Sequence, residues 1–158
     1  MNVQVFPQAF ARRARVIALH CSGAGAGQWH SLGETLGQGY ELLAPEHYGC
    51  ESTGHWTGER AFTLADEAER SIALIDESSE KVHLVGHSYG GGVALNIALS
   101  RPGKIATMTL YEPTAFHLLR QMGEPGARAF AEISAVARHV NQCLITGDYR
   151  AGVAEFVD

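Results

Sequence analysis

Cysteine is scarce in this chain of 158 residues: there are three, Cys21, Cys50 and Cys143, an odd number at wide spacings. That excludes a disulfide framework and suits thiols kept reduced. No basic stripe is present either. Twelve Lys and Arg are interspersed with 17 Asp and Glu, giving a net charge of −5, which sets aside nucleic acid and an anionic membrane surface as partners. No apolar run approaches the roughly 18 residues that a membrane span needs. Residues 1–7 lack a basic region followed by an apolar stretch, because Arg12, Arg13 and Arg15 come after them; no secretory signal is legible, and the expectation is a cytoplasmic protein. Nucleotide signatures are missing as well. Gly23, Gly25 and Gly27 fail the G-x-G-x-x-G pattern because position 28 is Gln, and no G-x-x-x-x-G-K-[ST] occurs.

Hydrophobic residues make up 46% of the chain, ordinary for a globular protein with one sizeable core. The pattern alternates between strands and helices. Residues 3–6 read as a short edge strand stopped by Pro7. Residues 15–20 read as a buried strand and residues 21–28 as a glycine-rich loop. Trp29, Leu32 and Leu36 then recur at helical spacing. Residues 40–44 form the next predicted strand and residues 46–60 a polar surface loop. Thr63 and Asp66 resemble a capping box, opening a helix with Leu64, Ala68, Ile72 and Ile75 on one face. A central strand over 81–86, a helix over 91–100 ended by Arg101-Pro102, and a strand over 105–110 follow. Strands separated by helices predict a mostly parallel sheet with helices on both faces. Beyond residue 113 the character changes: 123–126 read as a turn, 127–144 as a helix broken at Gly147-Asp148, and 153–157 as a further short helix.

The segment richest in chemistry is Gly86-His87-Ser88-Tyr89-Gly90, a G-x-S-x-G run between an apolar strand and a small-residue helix. Strand, sharp turn and helix present a serine oxygen as a nucleophile, and the flanking glycines let the two elements pass closely. Acyl transfer also needs amide donors aimed at the carbonyl oxygen that gains charge. One falls on the residue after the serine, Tyr89. A second is expected from the loop His20-Cys21-Ser22-Gly23, with Ser22 the candidate and Cys21 its alternative. The bland reading is a flexible glycine-rich surface loop. Metal binding has weaker support. His83 and His87 are four apart but on a strand and its turn, and His47, Cys50 and His55 share a polar loop without a zinc spacing. Those histidines read as structural or surface residues, and Cys21 as a small buried residue at a strand end.

The elbow at residues 86–91 and the loop 20–23 together resemble the α/β-hydrolase superfamily. So do Gln28-Trp29, Leu43-Ala44-Pro45 and Leu110-Tyr111-Glu112-Pro113. The resemblance covers residues 15–113. It implies Ser88 as nucleophile, Ser22 and Tyr89 amides as an oxyanion hole, an ester or related acyl bond of a small molecule as substrate, and no cofactor. A serine at the elbow sets the chain apart from dehalogenases, which carry a carboxylate there. Residues 1–113 are then the N-terminal part of a hydrolase core, and residues 114–158 the start of a helical lid.

The family's catalytic triad runs in chain order Ser, acid, His. Only 45 residues follow Pro113, they read as helices, and the family's last two strands are not found. The expectation is an incomplete core that lacks the triad histidine and is nearly inactive alone. Glu112 is the best internal acid candidate, against the plainer reading of Glu112-Pro113 as a structural strand end. Asp148 reads as a helix-end residue, and His117 and His139 lack the context of the family base. A truncated, non-catalytic binding module is the rival reading, and an exposed sheet edge would favour homodimerisation.

Overall fold

The computed structural model describes residues 13–157; the edge strand expected over residues 3–6 lies outside them. The chain divides into two compact units, Met1–Thr114 and Ala115–Asp158.

In the first unit, β1 (Ala14–Leu19), β2 (Tyr40–Leu43), β3 (Val82–His87) and β4 (Ile105–Tyr111) form one sheet in the order β2-β1-β3-β4. All three pairings are parallel, with Ile17 of β1 beside Leu84 of β3 and Leu84 beside Met108 of β4. Parallel strands are covered on both faces, which is why β1 reads as the near-continuous apolar run Val-Ile-Ala-Leu. On one face, Ile17, Leu19, Val82 and Leu84 pack with Ala68 and Ile75 of α2 (Leu64–Asp76) and with Val93, Ala94 and Ile97 of α3 (Tyr89–Ser100). These residues are fully buried. On the other face, Leu32 and Leu36 of α1 (His30–Leu36) join Val16 and Val85 around a groove of about 900 Å³. β2 and β4 are the edge strands of this sheet among the described residues, and residues 106–109 of β4 are exposed.

The capping box at α2 forms. The Thr63 amide donates to Asp66 Oδ2 at 2.8 Å, and the Asp66 amide donates to Thr63 Oγ1 at 3.3 Å. The expected apolar face of α2 needs one correction. Leu64 is exposed, whereas Asp66, Glu67 and Ser71 are buried, so the buried face carries acids that must be satisfied by partners.

The second unit holds α4 (Gly123–Thr146) and α5 (Tyr149–Val157). The turn expected over 123–126 is instead the first turn of α4. Pro125 is tolerated there because a first-turn amide has no helical partner, and Gly126 is buried against the Leu119 carbonyl. Gly147 ends α4 at φ 78, and the Asp148 amide closes back on the Cys143 carbonyl at 2.9 Å. Asp148 in turn accepts the Ala151 amide through Oδ1 at 3.1 Å, so it caps α5.

Candidate active site

Ser88 stands between the end of β3 and the start of α3 with φ 50 and ψ −115. A non-glycine residue there is strained by roughly 1–3 kcal/mol and persists only when its surroundings hold it. They do. Its amide donates to the Tyr111 carbonyl at 2.9 Å, and its carbonyl accepts the amides of Gly92 at 3.1 Å and Thr114 at 3.0 Å. The neighbouring glycines are required by space. A Cβ on Gly86 would lie 2.6 Å from the Gly90 carbonyl oxygen, and one on Gly90 would lie 2.5 Å from that of His20. The Ser88 side chain is half-buried, and its hydroxyl has no hydrogen-bond partner among the described residues.

The loop after β1 reaches the same place. The Gly90 amide donates to the His20 carbonyl at 3.1 Å, fastening the start of α3 to the end of β1. Gln28 bridges the two segments: its Oε1 accepts the Cys21 amide at 3.0 Å, and its Nε2 donates to His87 Nδ1 at 3.1 Å. The Cys21 amide is therefore occupied. Ser22 is exposed and makes no hydrogen bond among the described residues. The Tyr89 amide heads α3, outside the helix's internal ladder. Cys21 itself is half-buried, a correction to its reading as a buried residue.

Behind this loop lies a buried polar cluster that the sequence did not reveal. His20 donates through Nδ1 to the Cys21 carbonyl at 2.8 Å and accepts the His47 amide at Nε2 at 3.3 Å. The His47 ring reaches the His20 carbonyl at 3.0 Å through Nε2 and Glu67 Oε1 at 3.3 Å through Nδ1. Glu67 also accepts the Tyr48 amide at 3.0 Å and the Tyr89 hydroxyl at 2.9 Å. Burial alone would raise the Glu67 carboxyl. The hydrogen bonds from His47, the Tyr48 amide and Tyr89 outweigh it and hold the group below the usual carboxylate range. Burial lowers His20, favouring its neutral ring. Burial, then the charge of Glu67, pushes the Tyr89 phenol up. His47 is thus a buried residue, not a surface one, while His55 is exposed. No local signal marks the cluster: Glu67 and Ser71 share a helical face with Ala68 and Ile75, but the partners of Glu67 all lie outside α2.

Glu112 is one residue past Tyr111, whose carbonyl takes the Ser88 amide. Glu112 follows β4 at φ 45, exposed and with no side-chain partner among the described residues. His117 and His139 belong to the second unit, where His139 Nε2 lies 3.9 Å from Glu155 Oε2.

A parallel sheet between helices, with a serine on a strained turn at the end of a central strand, defines an α/β fold of the hydrolase type. The chain belongs to the alpha/beta hydrolase family, whose profile matches residues 16–156. It is 31% identical over 101 residues to lipase LipV of Mycobacterium tuberculosis, covering 63% of this chain and 37% of the lipase. It is 32% identical over 103 residues to the 2-hydroxy-6-oxo-6-phenylhexa-2,4-dienoate hydrolase of Comamonas testosteroni, covering 62% of this chain and 36% of that enzyme. Among solved structures it is similar to a thioesterase domain from the curacin biosynthetic pathway, with a TM-score of 0.59 and 27% identity over 65% of this chain and 38% of that one. The chain thus spans well under half the length of each of these relatives.

Proposed function

We propose that this chain carries the nucleophile and oxyanion site of a serine hydrolase acting on an ester or related acyl bond of a small molecule. The observation that carries the reading is Ser88 held at φ 50 with its hydroxyl unengaged among the described residues, beside two segments whose Ser22 and Tyr89 amides have no partner among those residues. In this reading Ser88 Oγ attacks the acyl carbon, the carbonyl electrons move to the oxygen, and the two amides receive that charge. The alcohol or thiol then leaves with a proton, and water releases the acid from Ser88.

The serine proton needs a base. His20 and His47 are committed to the buried cluster, His83 Nδ1 pairs with the Thr107 hydroxyl at 2.7 Å, His87 accepts from Gln28, His30 Nε2 faces Glu34 on α1 at 3.4 Å, and His55 is an exposed residue of the 46–60 loop. His117 and His139 lack the strand-then-loop setting of the family base. We assign the base to a histidine outside these 158 residues and expect the chain alone to turn over esters very slowly.

Exogenous imidazole tests this by standing in for the missing base. Mass spectrometry should find a fluorophosphonate adduct on Ser88 that forms slowly alone, faster with imidazole, and not at all in Ser88→Ala. Absence of any Ser88 adduct with imidazole present would reject the nucleophile and favour a binding module. Steady ester turnover without imidazole, abolished by Ser88→Ala, would reject the external base.

A further inference from the structure

We propose that Glu67 is a positioning residue for the oxyanion site, gripping both of its amide-bearing segments from one buried carboxylate on α2. The inference rests on the assignment of Ser88, Ser22 and Tyr89 made above.

The first grip is direct. Glu67 Oε2 accepts the Tyr89 hydroxyl at 2.9 Å, and Tyr89 is the residue whose amide opens α3 beside Ser88. Anchoring its side chain fixes the rotation of that first helical residue. The second grip is relayed. Glu67 Oε1 holds the loop after β2 through the Tyr48 amide at 3.0 Å and lies 3.3 Å from His47 Nδ1. His47 engages His20 twice, by amide to ring at 3.3 Å and by ring to carbonyl at 3.0 Å. The His20 ring then donates to the Cys21 carbonyl at 2.8 Å.

That last contact, with the Ala24 amide that donates to the same carbonyl at 3.3 Å, sets the Ser22 amide. The Cys21 carbonyl and the Ser22 N–H belong to one planar trans peptide, so fixing the direction of one fixes the other. A hydrogen bond behind the loop thereby aims an N–H on its front. The His20 carbonyl adds a cross-tie by accepting the Gly90 amide at 3.1 Å, so both amides are held relative to a common residue.

Glu67 has a reason to be a carboxylate. Its two oxygens accept from an amide and a phenol and face an imidazole, and a carboxylate takes them without offering a competing donor. In Glu67→Gln, one carboxamide position is an NH2 group. Turned toward the Tyr48 amide it meets that N–H donor to donor; turned toward Tyr89 it makes the phenol an acceptor, and in either case the charge-assisted grip of the carboxylate is lost. Tyr89→Phe is the milder change: it keeps the ring and the backbone amide and removes only the direct grip.

The experiment follows imidazole-assisted fluorophosphonate modification of Ser88 in the full chain, resolved into kinact and KI, with circular dichroism to establish that each variant is folded. Misaimed donors slow bond formation without weakening encounter. Tyr89→Phe should therefore lower kinact about tenfold and Glu67→Gln about a hundredfold, both with KI unchanged. If Glu67→Gln does not fold, Tyr89→Phe decides alone. Wild-type kinact in a folded Tyr89→Phe overturns the positioning role, as does a loss expressed in KI. A wild-type chain whose Ser88 never reacts overturns the nucleophile reading and the positioning role together, whereas equal reaction of wild type and variants overturns only the positioning role.

Discussion

Gly90 has no room for a side chain, and this is a residue-scale consequence of bringing α3 against β1. A methyl there would overlap the carbonyls of Leu19 and His20, which are main-chain atoms at the end of a central strand and cannot swing aside. Gly90→Ala should cost about 3 kcal/mol, read as a lower urea midpoint. Gly27→Ala is the control, since a Cβ there meets nothing within 4 Å, and it should leave the midpoint unchanged. Ser88 was legible in the sequence because this constraint prints itself as glycines two positions to either side. Glu67 was not. Its burial depends on Tyr89, 22 residues on, and on His47, 20 residues back, and no local pattern marks an acid that will be enclosed by partners from α3 and the loop after β2.

At the scale of elements, apolar periodicity placed the strands and most helices, because β1 and β3 must be apolar wherever helices cover them. The errors fell where a local rule competed with tertiary packing. Two glycines and a proline at 123–126 read as a turn, yet Gly126 is buried against Leu119 and α4 begins at Gly123. α2 illustrates the reverse, a local signal realised. Thr63 and Asp66 satisfy each other's amides, and Asp66 also binds the Arg60 guanidinium through both carboxylate oxygens. Thr63→Ala removes the hydroxyl but leaves the Arg60 pair, so the expected loss is about 1 kcal/mol. Urea denaturation with an unchanged m-value would support a lost cap, whereas no loss of stability would mean that the Arg60–Asp66 pair alone holds the start of α2.

The whole molecule integrates these groups into its response to pH. The chain was legible as a parallel α/β sheet whose profile matches a hydrolase family, while its buried titratable groups required the fold. Each contributes with a definite sign. His20 is lowered by burial from an ordinary value of 6.5, so the unfolded chain binds a proton that the folded chain refuses. Stability therefore falls as pH drops below about 6.5 and stops falling once the folded ring also titrates. Glu67 is lowered from 4.5 by partners that outweigh its burial, and Asp66 is held well below its usual range by Arg60 and then Thr63. Their contributions are complete above the unfolded carboxylate values and are lost as acid protonates the folded groups. The melting temperature should thus be level between about pH 7 and 9, decline first below about pH 6.5, and decline again below about 4.5. His20→Gln removes the imidazole and should erase the first decline while keeping the second. Retention of the first decline in a folded His20→Gln would assign it to another histidine and contradict the neutral, buried state of His20.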